Sequence, residues 1–171
     1  MYSLIILASL LFGNALDMPD GTLLFVEGGN KIVRDVTESP YSHVAIIFNI
    51  DGKPHVYEAV RPVCRKIPLD EYVSANKDYK LLIRKPKDLK PENATKMKEY
   101  CELQMGRRYR VKSWMSEKPE KGIHCGELTT RTMIAGGMKI NWNPCAAAPK
   151  DVMNFCESWY EKESVISEPK E

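Results

Sequence analysis

The sequence predicts an α+β domain in which an antiparallel sheet comes first and helices pack on it or beside it. Two runs rich in β-branched and aromatic residues flank Asp51-Gly52, which is a strong hairpin signal. Beyond residue 90 the apolar residues change from a period of two to that of a helix. The 171 residues, 43% of them hydrophobic, suffice for one domain with its own core and exclude a disordered chain or a fibre.

The individual elements follow from these periods. A short apolar strand bounded by a turn and two glycines is predicted within residues 20–29, the hairpin within 42–60, and a third strand within 79–85, before Pro86. Helices are predicted over residues 90–106, 124–135 and, with a weaker pattern, 149–162. Gly106 is a plausible end for the first helix, and Gly136-Gly137 ends the second. The domain is expected to span residues 16–162, followed by a flexible tail over 163–171.

Residues 1–15 are predicted to be a signal peptide. An apolar run over residues 4–12 is too short to span a bilayer as a helix, and Gly13-Asn14-Ala15 offers small residues for cleavage. We therefore expect a secreted, periplasmic or cell-envelope protein. An uncleaved anchor close to the membrane is the alternative.

The net charge of +2 is too small to indicate a nucleic-acid-binding protein. Lysine and arginine nevertheless cluster within residues 77–90 and 106–112. Two interpretations stay open for these clusters: a solvated face, or a patch that attracts an anionic cell-wall or lipid substrate.

The cysteines form an odd set, so at least one thiol stays unpaired in a monomer. An oxidising compartment would permit up to two disulfides, whose pairing the sequence does not determine. No CxxC pair is present and no spacing resembles a structural zinc site, so we predict neither metal nor cofactor. The five cysteines are Cys64, Cys101, Cys125, Cys145 and Cys156.

Cys125 stands where the second predicted helix begins. The unpaired N–H groups and the dipole of a helix start favour a thiolate there, which makes the sulfur a better nucleophile. Gly126 beside it would leave room for a substrate to approach the backbone. A buried structural cysteine at a helix start is the alternative.

A thiol nucleophile needs a base, and the chain has three histidines. His124 adjoins Cys125, and neighbouring residues on a helix point in different directions, so it makes a poor base. With a hairpin loop of two or four residues, His43 and Glu58 fall on the same face of the sheet and His55 on the opposite face. His43 with Glu58 therefore suits a Cys–His–acid relay. The alternatives are a strand histidine with an ordinary partner and a solvated glutamate.

These residues resemble a known family, the permuted papain-like amidases, which form the YiiX-type branch of the NlpC-like hydrolases. The resemblance runs from about residue 20 to residue 137 and rests on three motifs in the order histidine, acid, cysteine. Ordinary papain-like enzymes have the cysteine first, so this order is that of a circularly permuted papain-like (NlpC-like) fold. The motifs are Ser42-His43-Val44, Tyr57-Glu58-Ala59 and His124-Cys125-Gly126-Glu127.

The resemblance implies that Cys125 is the nucleophile, His43 the base and Glu58 the residue that orients it. Tyr41 would lie near the site and help to bind an oxyanion, although the Cys125 N–H is the more direct donor. Glu127 is expected to complement the helix dipole. Arg110 stands where the family tends to have an acidic residue, and a small hydroxyl residue is common at position 126; either departure could alter the substrate.

The implied activity is hydrolysis of amide, peptide or lipid-acyl bonds through a thioester. Substrates in this superfamily range from cell-wall peptides to lipid acyl groups. The alternatives are a thiol acyltransferase similar to lecithin:retinol acyltransferase and a non-enzymatic binding module on the same fold. The acyltransferases usually carry a second histidine where Glu58 stands, which favours the hydrolase.

Overall fold

A computed structural model describes residues 18–167 and contains a six-stranded sheet in the order β4-β3-β2-β1-β5-β6. Every neighbouring pair of strands is antiparallel, as predicted. The strands are β1 (Thr22–Glu27), β2 (Tyr41–Ile50), β3 (Lys53–Ala59), β4 (Cys64–Pro68), β5 (Lys80–Arg84) and β6 (Ser164–Ser167).

Six α-helices accompany the sheet within residues 18–167. The three predicted helices correspond to α3, α5 and α6, the last of which ends earlier than expected and continues as the 3-10 turn Cys156–Ser158. A second 3-10 turn covers Pro144–Ala146. The helices are α1 (Lys31–Thr37), α2 (Leu69–Ala75), α3 (Pro91–Gln104), α4 (Lys112–Ser116), α5 (Cys125–Ala135) and α6 (Pro149–Phe155).

The β2–β3 hairpin closes through the two residues Asp51 and Gly52. Both have positive φ, 50° and 75°, which is the backbone conformation that matches the twist of a two-residue hairpin. Phe48 pairs with His55, so the positions of paired residues have the odd sum that the sequence analysis assumed. This register decides which side chains of the two strands share a face.

The sheet is covered on both faces. One cluster joins strand residues such as Phe25 and Ile46 to α3, α5 and α6, and the other joins Ala45 and Val56 to α2. Helix α5 packs on β2 and β3. Its first turn therefore lies beside the strands that carry His43 and Glu58.

The segment after residue 162 differs from expectation. Residues 164–167, assigned to the flexible tail, form the edge strand β6, in which Val165 pairs with Leu82. The open edge of β5 supplies backbone hydrogen-bond partners that a polar segment can use without burying its side chains. The predicted signal peptide, residues 1–15, lies outside the described residues.

Within residues 18–167, no helix is long and apolar enough to cross a membrane.

Candidate active site

Cys125 is the first residue of α5 and is buried, with 6% of its surface exposed. An N–H at this position has no carbonyl of its own helix to bond. The residue before it, His124, is the N-cap, with extended backbone dihedrals (φ −112°, ψ 171°). The helix start is therefore where the sequence analysis expected it.

His43 and Glu58 meet as the strand register requires. His43 Nε2 lies 2.8 Å from Glu58 Oε2, and Glu58 is 2% exposed. Because Nε2 is engaged by the carboxylate, the other ring nitrogen, Nδ1, is left for the thiol. His55 lies apart from this pair, with Nδ1 2.9 Å from the carbonyl oxygen of Lys53.

Arg65 completes the surroundings of the carboxylate and was not predicted from the sequence. Its Nε and Nη2 lie 2.8 and 2.7 Å from Glu58 Oε1, the oxygen that His43 does not use. Arg65 lies directly opposite Glu58 on the neighbouring strand β4. A pair of opposite charges at facing positions is a signal that would have found Arg65 had β4 been predicted.

The thiol and the imidazole change each other's ionisation. Burial acts to raise the pKa of Cys125, but the charge of His43, together with the neighbouring His124, lowers it to about 5. Burial acts to lower the pKa of His43, but the thiolate and the bond to Glu58 raise it to about 10. Near neutral pH the pair is therefore a thiolate beside an imidazolium.

His124 is held by backbone groups on both ring nitrogens. Nδ1 accepts from the Glu127 N–H at 3.3 Å, and Nε2 lies 2.9 Å from the Cys145 carbonyl oxygen. His124 is thus fixed as the N-cap of α5, with extended backbone. Neither ring nitrogen is left to act as the base for Cys125.

Gly126 does not leave the space for substrate that the sequence led us to expect. A Cβ built on Gly126 would lie 1.9 Å from the carbonyl oxygen of Ala147. The space that the sequence analysis left for substrate is therefore filled by the backbone of residue 147. Glycine is required here because α5 packs directly on the chain that precedes α6.

Tyr41 does not line the cavities that contain Cys125 and His43. Its ring packs on Phe25, with centroids 5.8 Å apart, and its charged neighbours include Glu163 and Glu27. The register between β1 and β2 shifts at this point, leaving Ser42 unpaired. Such a bulge breaks the alternation that would have placed Tyr41 on the side of His43.

Glu127 does more than complement the helix dipole. Its carboxylate is fully buried and accepts hydrogen bonds from Ser113 Oγ at 2.7 Å and Arg131 Nε at 2.9 Å. The Cys145 thiol lies 3.5 Å from the same carboxylate. This network ties α4 and the 144–146 turn to the first turn of α5.

The remaining cysteines are structural by their surroundings. All five cysteines lie within the described residues, all are buried, and none forms a disulfide. Burial raises the pKa of Cys64 to about 11, that of Cys101 to about 12 and that of Cys156 to about 12. Cys125 is therefore the cysteine whose environment favours a thiolate.

Two cavities open beside the thiol and the imidazole. The apolar pocket, about 230 Å³, contains Cys125 in its wall, and the His43 cavity, about 320 Å³, contains His43, Glu58 and Arg65. Tyr109 borders both cavities. The other walls of the apolar pocket come from α1, α4 and the chain before α6, among them Ile32, Val36, Trp114, Met115, Ala147 and Ala148.

Fold and site together define the papain-like class of cysteine hydrolases, with the elements in permuted order. The model of the permuted papain-like amidase family, also called YaeF/YiiX or C92, matches residues 17–142. The chain belongs to this family, which confirms the resemblance and the fold class drawn from the sequence.

A solved structure supports the same fold. The chain is similar to a crystal structure described as metalloprotein yiiX from Escherichia coli O157:H7, with a TM-score of 0.70 and 18% identity. The match covers 90% of this chain and 99% of that one. Comparison with curated proteins gives no match.

That structure is described as a metalloprotein. Within residues 18–167 of this chain, no group of three or more His, Cys, Asp and Glu side chains is arranged to hold a metal ion. The described residues therefore do not fit a metal.

Proposed function

We propose that the protein is a cysteine hydrolase that cleaves amide or acyl bonds, with Cys125 as nucleophile, His43 as acid and base, and Glu58 orienting His43. One observation carries the proposal: a buried thiol at a helix start is paired with an imidazole whose far nitrogen lies 2.8 Å from a buried carboxylate. This is the arrangement that thiol hydrolysis needs.

The first half-reaction forms a thioester. The Cys125 thiolate attacks the carbonyl carbon, and the oxyanion that forms lies at the first turn of α5, where the Cys125 N–H can donate to it. The bond to the leaving nitrogen or oxygen then breaks, and His43 transfers the proton on Nδ1 to that atom. Glu58 holds Nε2 throughout and so fixes the tautomer.

The second half-reaction uses water. Neutral His43 removes a proton from a water molecule as the water oxygen attacks the thioester carbon. The carbon–sulfur bond breaks, the acid leaves, and the thiolate–imidazolium pair is restored. The reaction needs no further reagent, because water supplies both the hydroxyl group and the proton.

The apolar pocket is the cavity best suited to bind the acyl part of the substrate. This pocket borders Cys125 but not His43, and most of its walls come from apolar side chains. Among the bonds that the family resemblance allows, the pocket favours a substrate whose acyl group is a hydrocarbon chain or an apolar peptide side chain. The apolar run over residues 4–12 further supports action at the cell envelope or outside the cell.

The test uses the purified protein and thiol-directed acylating probes with acyl chains of increasing length. We expect stoichiometric labelling that Cys125→Ala abolishes, while Cys64→Ala, a buried thiol outside both cavities, leaves it intact. Hydrolysis of matched fluorogenic amides and esters should depend on Cys125 in the same way, with water as the acceptor rather than an added alcohol or amine. Labelling that persists in Cys125→Ala would show that the proposed nucleophile is wrong.

A further inference from the structure

A third cavity, which we call the basic groove, adjoins the site, and all the charged residues in its wall are positive. It measures about 720 Å³ and its wall contains Arg61, Arg108, Arg110 and Lys112 but no aspartate or glutamate. The whole chain carries a net charge of only +2. The groove therefore concentrates positive charge at one place, and a concave basic wall strengthens the local potential.

The three arginines of the groove are exposed and have no carboxylate partner within residues 18–167. Lys112 is the member of the groove that forms an ion pair, with Glu120 at 3.4 Å. On an ordinary solvated face, charges of both signs intermingle. Several arginines that line one cavity without carboxylates are instead typical of a site for an oxyanion.

The chain that carries Arg108 and Arg110 is held at a fixed offset from the nucleophile. The Ile123 N–H donates to the Arg108 carbonyl and the Arg110 N–H donates to the Ile123 carbonyl, both at 3.0 Å. Ile123 stands two residues before Cys125. Arg107 adds hydrogen bonds to the carbonyl groups of residues 120–122. The groove is thus part of the same rigid unit as the thiol.

The groove adjoins both of the other cavities. It shares Arg61 with the His43 cavity and shares Val111 and Met115 with the apolar pocket, which contains neither Arg61 nor His43. Since His43 protonates the leaving group, that group departs toward the His43 cavity and then meets Arg61. Tyr109 borders all three cavities and stands at their junction.

We propose that the basic groove binds an oxyanion carried by the leaving group, so that the substrate is an anionic amphiphile with its acyl part in the apolar pocket. The anion is a phosphate or a carboxylate, which Arg61, Arg108 and Arg110 are all suited to bind. This inference rests on the proposed function, because it takes the direction of the leaving group from the role of His43.

The test uses three fluorogenic substrates with one acyl chain and leaving groups that end in phosphate, carboxylate or a neutral hydroxyl. The wild-type protein should prefer one or both anionic substrates, and added salt should reduce the preference. In Arg108→Gln/Arg110→Gln the ratio of anionic to neutral kcat/KM should fall about 10-fold or more, mainly through KM, since a hydrogen bond to a charged group is worth about that much.

Control variants distinguish an effect of the groove arginines from an effect of net charge and from misfolding. Lys53→Gln/Lys139→Gln removes the same net charge at exposed sites outside the groove and should keep the wild-type ratio. The two arginines use backbone atoms for their bonds to Ile123, so their substitution preserves those bonds. Arg61→Gln, which lies on a different part of the chain, repeats the test if the double variant does not fold.

The outcomes are distinct. A preference for phosphate or for carboxylate that depends on the groove arginines supports the inference and identifies the anion. Equal kcat/KM for all three substrates, or a ratio that survives both arginine variants, overturns the inference while the hydrolase stands. Failure of the wild-type protein to hydrolyse any of the three, with labelling that does not depend on Cys125, would instead refute the proposed function.

Discussion

Replacing Glu58 by glutamine tests how the carboxylate controls His43. The two side chains have nearly the same shape, so the change removes a charge and replaces one oxygen by an NH₂ group. In the native protein Oε2 contacts His43 Nε2, while Arg65 contacts Oε1 through two nitrogens. An amide at this position has one oxygen for which His43 and Arg65 compete.

Arg65 should win that competition. Its two N–H groups require an acceptor, so the amide oxygen turns to Arg65 and the amide NH₂ turns to His43. His43 Nε2 must then accept a hydrogen bond, which moves the proton of the neutral imidazole to Nδ1, the nitrogen that faces the thiol. In that tautomer His43 cannot take a proton from the thiol or from water.

The expected loss has two parts. Arg65 donates two hydrogen bonds to the amide oxygen, whereas the imidazole would donate one. The orientation that turns the oxygen to Arg65 is therefore favoured by about 2 kcal/mol. We take a value at the low end because the Arg65 side chain is 49% exposed. Loss of the carboxylate charge beside the imidazolium costs about 1.5 kcal/mol more. Together, about 3.5 kcal/mol corresponds to a decrease of about 400-fold in kcat/KM.

The second substitution gives the reasoning its sharpest test. Arg65→Gln in the Glu58→Gln background removes the competitor, so the amide can turn its oxygen back to His43. Only the charge effect then remains, and we expect about a 10-fold loss relative to wild type, a rescue of about 30-fold. Arg65→Gln alone should cost only a few-fold, because Glu58 keeps its charge and its bond to His43.

The assay is the second-order rate of Cys125 labelling by an acylating probe, together with kcat/KM on a fluorogenic substrate. Glu102→Gln provides a matched carboxylate-to-amide control, since Glu102 bonds Tyr57 and Lys66 instead of the site. If the double variant is as slow as Glu58→Gln, or slower, Arg65 does not set the amide orientation and the reasoning fails.

Two further predictions concern the thiol and its helix. Because burial is outweighed by the charge of His43 and the pKa of Cys125 is lowered to about 5, alkylation by iodoacetamide should stay fast at pH 6 and reach half its maximum near pH 5. A midpoint near pH 9 would show an ordinary thiol. Gly126→Ala should destabilise the protein by about 3 kcal/mol, because the new Cβ would meet the Ala147 carbonyl oxygen. Thermal unfolding measures this loss, and an unchanged midpoint would show that the loop gives way freely.

The parts of the site that the sequence predicts are those governed by local rules. Asp51-Gly52 determines the hairpin, the hairpin determines the register, and the register brings His43 and Glu58 to one face. The start of α5 at Cys125 follows likewise from the change in apolar period. Each step needs only neighbours along the chain or across one turn.

The errors arise where a local rule is interrupted. The unpaired Ser42 breaks the strand alternation, so Tyr41 packs on Phe25 instead of sharing a face with His43. Glycine is required at position 126 because of its contact with the backbone of Ala147. The two residues lie 21 positions apart, and no pattern in the sequence reveals the contact.

The residues that determine substrate preference are positioned by long-range contacts, unlike the catalytic residues. The walls of the apolar pocket come from α1 and α4, of seven and five residues, which are too short to be stable alone. Helix α4 is held in place by the bond from Ser113 to the buried Glu127, and the basic segment before it by its pairing with Ile123. Both are long-range contacts that a periodic pattern does not encode. A variant of Glu127 or Ile123 should therefore change which acyl and leaving groups are accepted before it changes the ionisation of Cys125, since the thiolate depends first on His43.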